Sequence, residues 1–279
     1  MKTWFITGTS SGFGRSLTEL LLERGDRVAA TFRKDNALND LKDRYGEQLW
    51  VATLDVTDNQ AIRTVVDQAF KDLGNIDVVV NNAGYGLFGA AEEVSDEQIT
   101  HQFNTNVIGS IQVIRAALPY LRAQGGGRII QLSSMGGQVA FPALSLYHAT
   151  KWAMEGFIEA LVQEVAPFNI QATLVEPGSA RTKFNGSMIT GEPMSEYENT
   201  PVGYIRQMSQ QAATENFPGD PEKMAQTIIV AADSDKAPLR LTLGSDAYEL
   251  VHKNLVLRII ELEEQKEVAY STDYNIKAF

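Results

Sequence analysis

Short apolar runs and helix-period stretches alternate along the chain. Residues 5–6, 28–31, 49–54, 76–80, 129–132, 170–175 and 239–243 are rich in Val, Ile, Leu and Ala, with few polar interruptions. Runs of that length and composition suit strands covered on both faces. Between them the apolar spacing widens to that of helices. Leu17, Leu20, Leu21 and Leu22 form one such stretch, stopping near Gly25; Ala61, Val65, Ala69 and Phe70 form another. A third runs through Met154, Phe157, Ile158, Leu161 and Val165. Strands alternating with helices predict a three-layer, doubly wound α/β architecture around a parallel sheet of about seven strands. No internal repeat or low-complexity linker interrupts the pattern, so residues 1–279 are read as one domain.

Two segments depart from this rhythm. Residues 179–219 carry Met188, Ile189, Met194, Tyr197, Tyr204, Ile205, Met208 and Phe217 among Gly, Pro, Ser and Thr, with weak periodicity. So long an aperiodic stretch inside a compact domain is expected to be a functional excursion, here a substrate lid. Residues 246–268 alternate Leu250, Leu255, Val256, Ile259, Ile260 and Leu262 with Lys, Arg and Glu. They read as an amphipathic helix packed on the domain or on a second subunit.

Composition narrows the function classes. The 279 residues are 44% hydrophobic and 21% charged, with a net charge of −11. That balance disfavours nucleic acid and anionic membranes as partners at long range. With no cysteine there is no disulfide framework, thiol nucleophile or thiolate metal site. His101, His148 and His252 are scattered and form no metal motif, so no metal is expected. No apolar run reaches the length of a membrane span and no signal-peptide pattern opens the chain. The expectation is a cytoplasmic protein.

The segment Gly8-Thr9-Ser10-Ser11-Gly12-Phe13-Gly14 lies between a predicted strand and a predicted helix. Glycines there permit a tight turn and close approach of backbone to a pyrophosphate, with donors from the helix N-terminus, as in Rossmann-type folds. The same residues match the hydrolase pattern G-x-S-x-G. That alternative needs a late acid and histidine, and His252 lies in what reads as a helix surface, so it is set aside. At the end of the second strand, where an NAD site places an acid for the ribose hydroxyls, stand Phe32-Arg33-Lys34. Arg33 can grip a 2′-phosphate bidentately, and Ser10 can add a hydroxyl.

Further candidates fall at strand ends or on helices that follow them. Asn81-Asn82-Ala83-Gly84 ends the fourth strand and Ser133-Ser134 follows the fifth. Asn106 is a lone amide in an apolar helical stretch, which needs hydrogen-bond partners. Tyr147 and Lys151 are four apart on a predicted helix and share a face. An ammonium beside a phenol favours the phenolate and would lower its pKa, giving an acid–base group for an alcohol oxygen.

Together these residues resemble the short-chain dehydrogenase/reductase family, in its core form with a C-terminal extension. The resemblance rests on Thr7-Gly8-x-x-x-Gly12-x-Gly14, Asn81-Asn82-Ala83-Gly84, Asn106, Ser134, Tyr147-x-x-x-Lys151 and Pro177-Gly178, in order, from Lys2 to about Leu243. It implies a tetrad of Asn106, Ser134, Tyr147 and Lys151. Tyr147 would exchange the proton and Ser134 would hold the same substrate oxygen. Lys151 would bind the nicotinamide ribose, and Asn106 would hold a water. It further implies cofactor contacts from Gly8, Ser10, Ser11, Gly12, Phe13, Gly14, Arg33, Asp55, Val56, Asn82, Ala83, Gly84, Pro177, Gly178 and Thr182. The cofactor implied is NADP(H), from the Phe32-Arg33 pair. The implied substrate is a ketone, aldehyde or secondary alcohol of apolar character, given Tyr85, Phe88, Val139 and Phe141 near these motifs. A non-redox use of the site, as in dehydratases and epimerases, and a cofactor-binding regulatory protein are the alternatives. A homodimer or homotetramer is implied as well, with residues 154–165 offering the apolar contact.

Overall fold

A computed structural model describes residues 1–34, 37–211 and 214–274. Seven parallel strands form the central sheet: β1 (Thr3–Ile6), β2 (Arg27–Phe32), β3 (Leu49–Thr53), β4 (Val78–Asn81), β6 (Gly127–Leu132), β7 (Ile170–Pro177) and β9 (Arg240–Leu243). Their order across the sheet is β3-β2-β1-β4-β6-β7-β9. Among the described residues, two further strands, β5 (Leu87–Phe88) and β8 (Ile189–Thr190), pair with each other in parallel.

Alternation along each strand sends successive side chains to opposite faces. Trp4, Ile6, Val28, Ala30, Val78, Val80, Ile130 and Val175 pack beneath α1 (Gly12–Glu23), α2 (Asn39–Tyr45) and α8 (Pro221–Asp233). Phe5, Ala29, Val79, Ile129, Ala172 and Leu174 pack against α3 (Asn59–Leu73), α5 (Ser110–Ala123) and α6 (Ser145–Val165). Residues of the inner strands β1, β4 and β6 therefore meet helices on both sides, which is why these runs contain so few polar positions, whereas β3 at the edge leaves Val51 and Thr53 exposed. The three layers and the seven-stranded sheet agree with the sequence pattern.

β1 pairs with β2 on one side and β4 on the other. The chain winds outward to β3 and then returns to the other side of β1, leaving a crevice above the carboxyl ends of β1 and β4. Between β5 and α5 lies α4 (Asp96–Phe103), started by a capping box of Ser95 and Gln98, followed by a π-helical turn at Asn104–Gly109.

The excursion at 179–219 is more ordered than its composition predicts. It contains β8 and an 11-residue helix, α7 (Pro201–Gln211). Helical periodicity was hidden because only Gly203 of that helix is buried. Residues 212–213 of the excursion, and 275–279 at the chain end, lie outside the described residues. The late helix is α9 (Ser245–Glu264), followed by α10 (Lys266–Ser271). Of α9 only Ala247 and Val251 are buried. Past Asn254 its apolar residues, among them Leu255, Val256, Ile259, Ile260 and Leu262, stay exposed on the single chain. In the 154–165 segment, Met154, Ile158, Leu161 and Val165 are spent on this chain's own core.

Candidate active site

The loop from β1 into α1 is braced by the end of β4. Thr7 Oγ1 accepts the backbone N–H groups of Asn82 and Ala83, both at 3.1 Å. The Asn82 amide donates to the carbonyls of Thr7 and Gly8 at 2.9 and 2.8 Å. A Cβ at position 14 would stand 2.4 Å from that amide nitrogen and 2.5 Å from the Gly8 carbonyl oxygen, so only glycine lets the loop close. Asn82 thus supports the loop with its side chain. Phe13 is half-buried and packs against the core.

The N-terminus of α1 fits an anion. Its first turn holds no acidic residue, and the Ser11 side chain makes no capping bond to the open backbone donors. A cavity of about 300 Å³ lies in front, lined by Ser10, Ser11, Gly12, Arg15, Ser16, Arg181, Thr182, Lys183 and Pro221. The residues present therefore fit a dinucleotide phosphate. Thr182 lies opposite Gly12 across this cavity. Arg33 is exposed at the end of β2, whereas Phe32 is buried in the core.

Asp55 follows β3 and accepts the N–H and hydroxyl of Thr57 at 2.9 and 2.8 Å. Burial pushes its carboxyl up, but Thr57, Arg33 and His101 outweigh that and hold it below the usual range. Val56 is buried in the core. At the end of β7, Asp246 of α9 accepts the Ser179 N–H at 2.7 Å through Oδ2. Its Oδ1 stands 2.1 Å from where a Cβ at position 178 would be, which accounts for glycine in Pro177-Gly178. Nothing in the local pattern singled out Asp246.

The four tetrad candidates come from three different elements. Ser134 begins the turn after β6, while Tyr147 and Lys151 share the buried face of α6. The Lys151 ammonium lies 5.6 Å from the Tyr147 ring centroid and donates to the Leu132 carbonyl at 2.9 Å. Asn106 sits in the π-helical turn. Its Oδ1 accepts the Tyr85 N–H at 3.1 Å, and its amide donates to the Tyr85 carbonyl and to Thr150 Oγ1 at 2.9 and 3.2 Å. The Asn106 side chain is thus occupied in bracing, and the same Oδ1 stands against Gly84.

One expectation is reversed. Burial pushes the Tyr147 phenol up to about 12, with hydrogen bonding to Ser134 pulling the other way. Burial likewise pushes Lys151 down to about 8, opposed by Glu155. Burial dominates at both groups; the Phe184 ring of the excursion lies against Tyr147 with centroids 5.9 Å apart and planes tilted by 54°. Beside it, His148 holds the turn after Ser134. Its Nε2 accepts the Phe141 N–H at 3.0 Å, which places the ring proton on Nδ1, donated to the Gly136 carbonyl at 2.9 Å. His148 therefore has a supporting job and no ligand role.

The excursion is fastened by Glu93. Its Oε2 accepts the Ala90 N–H at 2.7 Å, and its Oε1 accepts the Met194 N–H at 2.9 Å. Arg206 of α7 reaches both oxygens, at 2.6 and 2.5 Å. The partners are 113 residues apart, a separation that hides the pair from any local reading.

Comparison with known proteins agrees with this architecture. Residues 2–193 match the family model described as short chain dehydrogenase. An oxidoreductase of Botryotinia fuckeliana, BOA17, is 37% identical over 272 residues, covering 97% of this chain and 99% of the relative. The crystal structure of a short-chain dehydrogenase from Streptomyces avermitilis is 40% identical with a TM-score of 0.91, covering 98% of this chain and all of that one. A serine dehydrogenase complexed with NADP+ in its closed form is 26% identical, TM-score 0.74, covering 86% of this chain and 94% of that one. The chain belongs to the short-chain dehydrogenase family of oxidoreductases.

Proposed function

We propose that this protein is an NADP(H)-dependent oxidoreductase acting on an apolar ketone, aldehyde or secondary alcohol, with Tyr147 as its acid–base group. The carrying observation is the grouping of Ser134, Tyr147 and Lys151 beside Phe184, and the open N-terminus of α1 with its cavity supports it. A bound nicotinamide dinucleotide supplies or accepts the hydride. The glycine loop and Thr182 would hold its phosphates, and Lys151 its ribose. In reduction Tyr147, still protonated across the neutral range, gives its proton to the oxygen of the former carbonyl, which Ser134 holds in place. Phe184 and the excursion exclude water from that step. Phe184 against Tyr147, with Met188 beside it over Gly86, supports the choice of an apolar substrate.

The preference for NADP(H) rests on Phe32 standing where an NAD site would carry an acid and on the exposed Arg33 that follows it, and is in keeping with the NADP+ bound to the serine dehydrogenase relative. Charge-assisted hydrogen bonds of about 1.5–3 kcal/mol correspond to a preference of roughly 10- to 150-fold in kcat/KM. Steady-state rates with NADPH and NADH, followed by absorbance of the reduced nicotinamide over a panel of ketones, measure it. Arg33→Ala should erase most of the difference; an NADH preference in the wild type, or an unchanged ratio in the variant, refutes the reading. Introducing an acid at Phe32 is a poor test, because that side chain is core.

A further inference from the structure

Behind the tetrad lies a buried charged cluster that the chemistry above does not use. Glu155 follows Lys151 by one turn of α6, and both are buried. Its Oε1 accepts the hydroxyl of Ser133, the residue before Ser134, at 2.5 Å. Its Oε2 accepts Arg240 Nε at 3.1 Å and the Gln138 amide at 3.4 Å. That amide and Arg240 also reach Glu176 Oε1, at 3.1 and 3.2 Å, while Thr242 donates to Glu176 Oε2 at 3.0 Å. Arg240 extends to Glu159 at 2.9 Å, and Asn254 of α9 donates to the Gln138 carbonyl at 2.6 Å. The cluster thus joins the Ser134 turn, the helix of Tyr147 and Lys151, and the strand leading into Pro177-Gly178.

Its charges do not balance within the cluster. The groups facing Glu155 are Glu176 from β7, Arg240 from β9, and Lys151 on its own helix, with Glu159 behind the arginine. Two buried carboxylates share one guanidinium, and the remaining cation is Lys151. Buried ion pairs of this kind are seldom favoured over well-packed apolar side chains for stability alone. Burial and Glu176 hold the Glu155 carboxyl above its usual range, against Ser133 and Arg240. A raised acid favours folding below the ordinary carboxylate range and loses that contribution as pH rises through its folded value. At alkaline pH the ionised Glu155 is therefore a burden on stability.

We propose that Glu155 is a positioning residue: its carboxylate keeps the neighbouring Lys151 protonated and ties the Ser134 turn to the helix carrying Tyr147. The effect on Lys151 is a property of the protein alone; the catalytic consequence rests on the oxidoreductase reading. Both are tested with Glu155→Gln in the full chain, where an amide of the same shape can still bond Ser133 and Arg240. Lysines labelled with ¹³C at Cε are titrated by NMR, and the Lys151 signal is identified by its loss in Lys151→Met. The Lys151 midpoint should fall by about one pH unit in Glu155→Gln. The alkaline limb of the carbonyl-reduction profile should move with it. Glu155→Asp should restore part of the shift. Glu176→Gln, which disturbs the same cluster without removing the charge next to the lysine, should leave the midpoint at or above the wild-type value. An unmoved midpoint in a folded Glu155→Gln protein overturns the proposal. A moved midpoint in a protein whose wild type reduces no carbonyl supports the coupling and counts against the oxidoreductase reading instead.

Discussion

Tyr147→Phe is expected to lower turnover by at least about 100-fold, the contribution of a general acid at the reacting oxygen. Cofactor binding should be nearly intact, since only a hydroxyl is removed. Melting should also change little, because the ring that Phe184 and His148 pack against is retained. This separates lost chemistry from lost structure. Lys151→Ala should behave differently, damaging cofactor affinity along with turnover, because it removes the proposed ribose contact. Kinetics with saturating cofactor, alongside fluorescence titration of the reduced nicotinamide, measures both. Retention by Tyr147→Phe of more than about a tenth of wild-type activity would rule out the acid–base assignment.

The second large effect concerns the clasp between Glu93 and Arg206. Breaking one side of a buried ion pair costs about 3–5 kcal/mol. Arg206 is partly exposed and Glu93 keeps two backbone donors, so Arg206→Ala should fall lower, at about 2–3 kcal/mol. The loss should be local. Hydrogen exchange should accelerate in residues 188–206 of the variant while the central sheet stays protected. In the wild type, substrate with cofactor should slow exchange in the same segment if it closes as a lid. Equal protection of this segment in variant and wild type would mean that the pair fastens nothing. The pH sign follows from Glu93. Burial pushes its carboxyl up, but the N–H groups of Met194 and Ala90 and the Arg206 guanidinium hold it below the usual range. The clasp's contribution is therefore present above the ordinary carboxylate pKa and is lost as pH falls through the lower folded value. In an acid titration the excursion should loosen before the core.

Much of the sheet could be read from the chain because both of its faces are covered. Trp4 and Ile6 meet one set of helices and Phe5 the other, so polar residues are excluded from both sides and the run is visible without neighbours. The candidate positions Ser134, Tyr147 and Lys151 could be grouped for a different reason: their spacing is set by the turn after β6 and by one face of α6. What escaped reading depends on partners distant in sequence. Glu155 and Arg240 are 85 residues apart, and Glu93 and Arg206 113. A lone glutamate among Met154, Ile158 and Leu161 was the one local hint, since an acid on an apolar face needs a distant cation. The direction of the Tyr147 shift was missed because it follows from burial of the phenol in the folded chain, which no spacing rule predicts.

The position of β9 has a consequence for how the chain is made. Arg240, the cation shared by Glu155 and Glu176, belongs to the last strand of the sheet and lies 85 residues beyond Glu155. At roughly 5–20 residues per second of synthesis, about 4–17 seconds separate the appearance of the first carboxylate and its guanidinium. During that interval the outer edge of β7 has no neighbour, and the two acids face each other uncompensated. A nascent chain halted before residue 240 should therefore keep Glu155 and Glu176 solvated or protonated, with the Ser134 turn unfastened. Arrival of β9 covers the outer edge of β7 and brings in the one guanidinium that both acids share, so the Ser134 turn is secured late in synthesis, after most of the core has formed.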